Sequence, residues 1–227
     1  MRIETLFLDA GGVLVFPNWE RISGILARHG IHVPPDALRN ADPQARFAID
    51  TAATVAATSD ADRGTQYLQL VFRSAGVPPD ARLEGVFRDL WDYHMEHNLW
   101  EHVPPDVVPA LEELAELGIT LAIASNANGI LQRAFDRLGL TRYFHAICDS
   151  CVEGAEKPDP RFFHIVLERA GGRRETTLHV GDLYYVDVVG ARRAGIQALL
   201  MDPHDLYAGS DVERVRSLGD VVRYVTS

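Results

Sequence analysis

The chain has 227 residues, 47% hydrophobic and 24% charged, enough for one full domain with a sizeable core and a smaller second unit. Its formal net charge of −10 repels polyanions, which argues against nucleic acid or a membrane surface as a partner, while a small anionic substrate needs only a site with positive charge of its own. No apolar run approaches the length of a membrane span, and Asp9 interrupts the one apolar segment near the start, so no secretory leader is expected and the cytoplasm is the expected compartment.

The first expected strand, TLFL (5–8), runs straight into Asp9 and then Ala10-Gly11-Gly12. From about 16 to 93 no strand pattern follows. Helical periodicity marks 19–29, 45–58, 65–74 and 83–94, and VPPD at 33–36 and again at 77–80 reads as a helix start, with Pro before an acidic first turn. An all-helical block inserted directly behind the first strand has the position of a lid.

Beyond it the pattern changes. TLAIA (120–124) ends at Ser125, FHAIC (144–148) at Asp149, TLHV (177–180) at Gly181 and QALLM (197–201) at Asp202. Helical stretches at 107–117, 130–138, 161–170 and 187–194 separate them. Short, continuously apolar strands alternating with helices predict βαβ units and an α/β fold with a parallel sheet buried on both faces. Ligands of such sheets bind at the carboxyl ends of the strands, so the polar residue after each run is a site candidate.

Asp9, Ser125, Lys157, Asp182 and Asp187 come from separate places, each just after a strand or at a helix entrance. Three carboxylates meeting in one cleft would repel one another unless Mg²⁺ and one Lys supplied positive charge. The set suits nucleophilic attack by a carboxylate, with an anionic group neutralised by the metal and held by the hydroxyl and the ammonium. Phosphoryl transfer has those needs. Lys157 is the only Lys among 22 basic residues, the other 21 being Arg, which points to a demand for a compact ammonium at this position. Cys148 and Cys151 form a lone CxxC without further zinc ligands or a redox setting, and read as ordinary thiols near a strand end.

The motifs LFLDAGGVL with Asp9, IASN with Ser125, EKPDPRFF with Lys157 and VGDLYYVD with Asp182 and Asp187 occur in an order that resembles the haloacid dehalogenase-like hydrolase superfamily, and the resemblance spans essentially the whole chain. It implies a Rossmann-like core from 1–15 and 95–227 with an all-helical cap at 16–94 that closes over substrate. It also implies a covalent intermediate on Asp9. Mg²⁺ would be held by Asp9, Asp182 and the Gly11 carbonyl, with Asp187 supporting the metal or positioning Lys157. Ser125 and Lys157 would bind phosphoryl oxygens, and Asn126 is a candidate substrate contact.

One departure stands out. Phosphatases that this chain resembles carry a second Asp two residues after the nucleophile, where this chain has Gly11. That residue acts as general acid and then base, help typically worth about 10²–10⁴-fold. Three readings stay open: a Mg²⁺-dependent hydrolase of a small phosphorylated substrate, a metal-independent 2-haloacid dehalogenase, and a catalytically weak phosphate-binding or regulatory pseudoenzyme. The Asp182 carboxylate counts against the second, because it would repel Asp9 in a metal-free site. A phosphonate hydrolase needs a cap Lys, and 16–94 contains none. His94, His97, Glu101, His102, Tyr184 and Tyr185 are the residues from which a replacement proton donor could come, although such groups more often pack or cap. Oligomeric state is not legible.

Overall fold

The computed structural model describes residues 2–227. The chain forms two compact units, one of residues 1–16 and 103–227 and one of 17–102.

The larger unit is a Rossmann-like α/β layer structure built on a six-stranded parallel sheet. Its strands are β1 (Thr5–Leu8), β4 (Thr120–Ser125), β5 (Ala146–Asp149), β6 (Thr177–Gly181), β7 (Gln197–Met201) and β8 (Arg214–Val215), in the order β5-β4-β1-β6-β7-β8. β1 lies between β4 and β6, with Leu8 opposite both Ile123 and Val180. The unit's helices are α6 (Val107–Glu116), α7 (Leu131–Leu138), α8 (Ser150–Glu153), α9 (Pro160–Ala170), α10 (Val189–Arg193) and α11 (Leu218–Thr226), and Phe7, Ala122 and Ala124 pack with α9 and α10. The two-residue strand period turns Leu6, Leu8, Leu121 and Ile123 to the opposite face, and these are buried as well. Both faces are therefore covered, which is why the strands read as apolar runs rather than alternating ones.

Strand order places the site. The chain steps from β1 outward to β4 and β5, then returns to the other side of β1 for β6, β7 and β8. The crevice at such a reversal opens at the carboxyl ends of β1, β4 and β6, the strands that end at Asp9, Ser125 and Gly181.

The smaller unit holds α1 (Trp19–Arg28), α2 (Pro35–Ile49), α3 (Ala52–Ala57), α4 (Asp60–Ser74) and α5 (Arg82–His97) around its own core, with Trp19, Ile22, Leu38, Leu68, Phe72 and Leu90 among its buried residues. The expected single helix over 45–58 is in fact the end of α2 followed by α3. Thr51 breaks it by accepting the Thr54 N–H at 3.1 Å, a cap that starts a new helix. The helix start read at VPPD 33–36 is that of α2, which runs on through Pro43 over the stretch 37–44 where no helix was expected. Two short strands, β2 (Phe16–Pro17) and β3 (Trp100–His102), pair where the sequence shows no strand pattern. The helical unit runs to His102 rather than ending at 94, because α5 continues to His97 and β3 pairs back on β2.

His94 is half-buried between the edges of Trp91 and Trp100, and its Nδ1 accepts the Leu99 N–H at 3.1 Å. Burial lowers its pKa to about 4 from 6.5. Between those values the unfolded chain takes up the proton that the folded unit excludes, so stability is expected to fall as pH drops from 6.5 toward 4, by about 1.4 kcal/mol per unit at most. All three tryptophans, Trp19, Trp91 and Trp100, lie in this unit, so urea melts followed by tryptophan fluorescence read it directly. His94→Phe should flatten the slope.

Among the described residues no helix is long and apolar enough to cross a membrane.

Candidate active site

The larger unit brings the separated motif residues together. Lys157 is fully buried, and its Nζ lies 2.7 Å from Asp187 Oδ1 and 3.0 Å from Asp9 Oδ1. Carboxylate oxygens of Asp9, Asp182 and Asp187 converge to within 4.8 Å of one another. The Ser125 hydroxyl hydrogen-bonds to the Asp9 carboxylate, and its Oγ is 3.4 Å from the Asn126 carbonyl.

Local structure explains each placement. Asp9 follows β1, where its N–H bonds to the Val180 carbonyl at 2.9 Å and its Oδ1 accepts the Ala10 N–H at 2.7 Å. The chain then folds back at once: the Leu14 and Val15 N–H groups both bond to the Ala10 carbonyl, and Gly12 takes a φ of 74°. That left-handed turn needs glycine at position 12. Gly11 is half-buried and bridges to Val15, so the loop is tight at the position where a second acid was sought.

Asp187 sits over Gly181. A Cβ built on Gly181 would lie 2.1 Å from Asp187 Cγ, so residue 181 must be glycine for that carboxylate to be seated. The turn between them is closed by Asp187 itself, whose N–H bonds to the Leu183 carbonyl at 2.8 Å and whose Oδ2 accepts the Leu183 N–H at 3.0 Å. The expected helix over 187–194 begins as a π-helical turn at Tyr184–Val188 and becomes α10.

Electrostatics sort Lys157 and the two carboxylates that flank it. Burial alone would lift Asp187, but Lys157 and His179 outweigh it and hold the carboxyl well below the usual range. Burial also opposes charge on Lys157, and Asp187 with Asp9 reverses that, so the ammonium is held above its ordinary pKa. At Asp9 burial wins over Lys157, with Asp187 adding repulsion, and the pKa is raised. Asp9 is thus the more basic carboxylate of the pair that flanks the lysine. Three carboxylates against one ammonium leave negative charge uncompensated, and an all-oxygen donor set of this kind suits a hard divalent cation such as Mg²⁺.

Asn126 ties two motifs together. Its amide nitrogen donates to the Lys157 carbonyl at 3.0 Å and its amide oxygen accepts the Lys157 N–H at 2.7 Å, so the side chain holds the lysine backbone. The rule that polar residues after strands mark the site also overreaches at the sheet's flanks. Asp149 accepts the Gly129, Leu131 and Cys151 N–H groups, and Asp202 accepts from Leu206, Tyr207 and Arg214. Both tie turns on β5 and β7, away from the reversal at β1. Cys148 is buried, which pushes its thiol up to about 12, and Cys151 is exposed. Tyr184 donates to Asp211, and Glu101 accepts from Asn18 and Tyr93.

Sequence reasoning missed His179. It stands in β6 with no exposed surface and its Nε2 is 2.9 Å from Asp187 Oδ1. The signal was available: one ionisable residue inside a strand buried on both faces.

Comparison with known proteins identifies the family and the fold. The family profile "haloacid dehalogenase-like hydrolase" matches residues 3–195. The chain is 31% identical over 169 residues to a glyceraldehyde 3-phosphate phosphatase of Methanopyrus kandleri, covering 70% of this chain and 72% of that one. It is 37% identical over 102 residues to a ribulose-1,5-bisphosphate 5-phosphatase of Halopiger xanaduensis, a match that spans 44% of this chain and less than half, 43%, of the relative. Among solved structures, the HAD-hydrolase YfnB of Bacillus subtilis, described as bound to magnesium, superposes with a TM-score of 0.72 at 18% identity over 100% of both chains. The L-2-haloacid dehalogenase RSc1362 superposes with a TM-score of 0.66 at 17% identity, again over 100% of both. At these identities the structural matches speak to fold.

Proposed function

The chain belongs to the haloacid dehalogenase-like hydrolase family, and from that premise we propose that it hydrolyses a small phosphorylated substrate through an aspartyl-phosphate on Asp9. The observation that carries the reading is the Lys157 ammonium held between Asp9 and Asp187 where the three carboxylates converge. One Asp9 oxygen attacks phosphorus, the bond to the substrate oxygen breaks, and that oxygen leaves with the electron pair. The leaving oxygen takes a proton from solvent; water then attacks the same phosphorus, gives a proton back to solvent and breaks the bond to Asp9, releasing phosphate and restoring the carboxylate.

Ser125 and Lys157 bind the transferring oxygens, and Lys157 offsets the charge that Asp187 and Asp9 bring. Asn126 is assigned here to holding Lys157, not to substrate. Mg²⁺ would be held by Asp9, Asp182 and the Gly11 carbonyl. Asp187 stands behind them, because its Oδ1 already serves Lys157 and His179. When bound, the ion supplies charge neutralisation and Lewis acidity for an anionic group. The phosphatase names of the two sequence relatives support a phosphorylated substrate. Asp182 disfavours halide displacement, since a second carboxylate beside Asp9 repels the nucleophile when no cation is present. The helical unit is proposed to act as the cap, and the cytoplasm as the compartment.

Purified protein given an aryl phosphate is expected to release phosphate with Mg²⁺, to stop when a chelator is added and to resume when Mg²⁺ is restored. Halide release from a 2-haloacid without metal would replace this reading with dehalogenation. Mg²⁺ binding without turnover on a panel of phosphates would make the chain a binding protein.

A further inference from the structure

The Asp187 carboxylate accepts two side-chain donors on one oxygen. Lys157 Nζ lies 2.7 Å from Oδ1 and His179 Nε2 lies 2.9 Å from the same atom, while Oδ2 takes the Leu183 N–H. A carboxylate only accepts, so Nε2 carries the hydrogen, and the other ring nitrogen, Nδ1, is left buried without a partner. Phe163 meets the ring edge-on at 5.1 Å, and the strand sits between β1 and β7, so no solvent reaches Nδ1. An orphaned buried nitrogen costs stability, and a leucine at this position would bear no such cost. Packing therefore does not account for a histidine here, and the donor on Nε2 does.

We propose that His179 is a positioning residue for Lys157: by occupying Asp187 Oδ1 as a second donor it sets the ammonium between Asp187 and Asp9. With one donor, Oδ1 would draw Nζ alone. With two, its negative potential is divided, the carboxylate plane is pinned from both ends, and Nζ is shared with Asp9 at 3.0 Å. His179 touches no reacting atom. The inference rests on the reading of Asp9 as nucleophile and Lys157 as its cationic partner.

The test compares His179→Leu with His179→Gln in the full chain. The leucine keeps the apolar volume and loses the donor, whereas the glutamine retains a side-chain N–H toward Asp187. With aryl phosphate and Mg²⁺, His179→Leu is expected to lose roughly 10- to 100-fold in kcat with KM changed by less than about twofold, and His179→Gln to recover most of the loss. Crystal structures of wild type and His179→Leu read the same effect without turnover: Nζ should move toward Asp187 and away from Asp9. If His179→Leu does not fold, His179→Asn, whose N–H is too short to reach Oδ1, takes its place. Wild-type kcat in the donor-free variant, an unmoved Lys157, or a glutamine variant as impaired as the leucine one would each overturn the proposal. Absence of phosphate release by the wild type would instead sink the hydrolase reading and leave the crystallographic comparison to decide the position of Lys157.

Discussion

Asp9→Asn is expected to abolish phosphate release while making the metal-free protein more stable. A carboxamide is no nucleophile at phosphorus, and loss of the attacking group in a covalent mechanism costs on the order of 10⁴–10⁶-fold in kcat. The stability change runs the other way. Burial, with repulsion from Asp187, raises the Asp9 pKa against the pull of Lys157. The folded protein thus binds that proton more tightly than the unfolded chain does, so at neutral pH the ionised carboxylate opposes folding. Wild-type stability should recover as pH falls through the raised value. Asparagine removes the penalty at every pH, for a gain of about 0.5–2 kcal/mol, the usual size when a functional site is relieved of its electrostatic cost. Thermal melts in chelator, beside phosphate release in Mg²⁺, measure both. A variant that turns over like the parent would end the nucleophile assignment. A lowered melting temperature would show that Lys157 more than compensates the Asp9 charge.

That trade between activity and stability was partly visible in the sequence. Asp9 at the end of TLFL is a charge placed where a buried strand ends, at the edge of the sheet where ligands of such folds bind. Lys157 stood out because every other basic residue is Arg. Both signals are local, a residue type out of keeping with its surroundings, and both led to residues that meet in space. The strands of the sheet's centre were legible for the same reason, since double burial makes an apolar run that needs no tertiary information to recognise. What was hidden depends on partners far along the chain. Asn126 reads as a polar residue after a strand, and its hold on the Lys157 peptide appears only when β4 and the 157 loop are brought together. Asp149 and Asp202 obey the same strand-end pattern as Asp9 but lie beyond the reversal point, where an acid closes a turn instead of meeting a substrate. The split at Thr51 was lost because its cap shows only once the side chain is seen to accept the Thr54 N–H, whereas the helix that VPPD starts at 35 runs on through Pro43 because a local breaker is weak evidence against a helix with a buried face.

The second large effect is expected at Lys157. In Lys157→Met the ammonium disappears while Asp9 and Asp187 stay buried beside each other, and breaking a buried pair by removing one partner costs about 3–5 kcal/mol. The pH dependence identifies the cause. Lys157 is held above its ordinary pKa, so its contribution is complete below the unfolded value and is lost only as pH rises through the folded one. Asp187 is held below its ordinary pKa, so its contribution is complete above the unfolded value and is lost as pH falls through the folded one. The deficit of Lys157→Met should therefore be largest near neutral pH and shrink in acid, where the stranded carboxylates protonate. Lys157→Arg is the sharper variant, because it keeps the charge and tests the shape. A planar guanidinium is broader than an ammonium, and the residue has no exposed surface and a backbone clamped on both sides by Asn126. It should fail to restore phosphate release, although the chain uses Arg at every other basic position. If Asp187→Asn is then combined with Lys157→Met, part of the stability should return, since of the two carboxylates that flanked the ammonium only Asp9 is left, and its raised pKa makes it the easier one to protonate. A double-mutant cycle that instead adds the two losses would mean that the pair contributes nothing as a pair, and that Lys157 serves only the substrate.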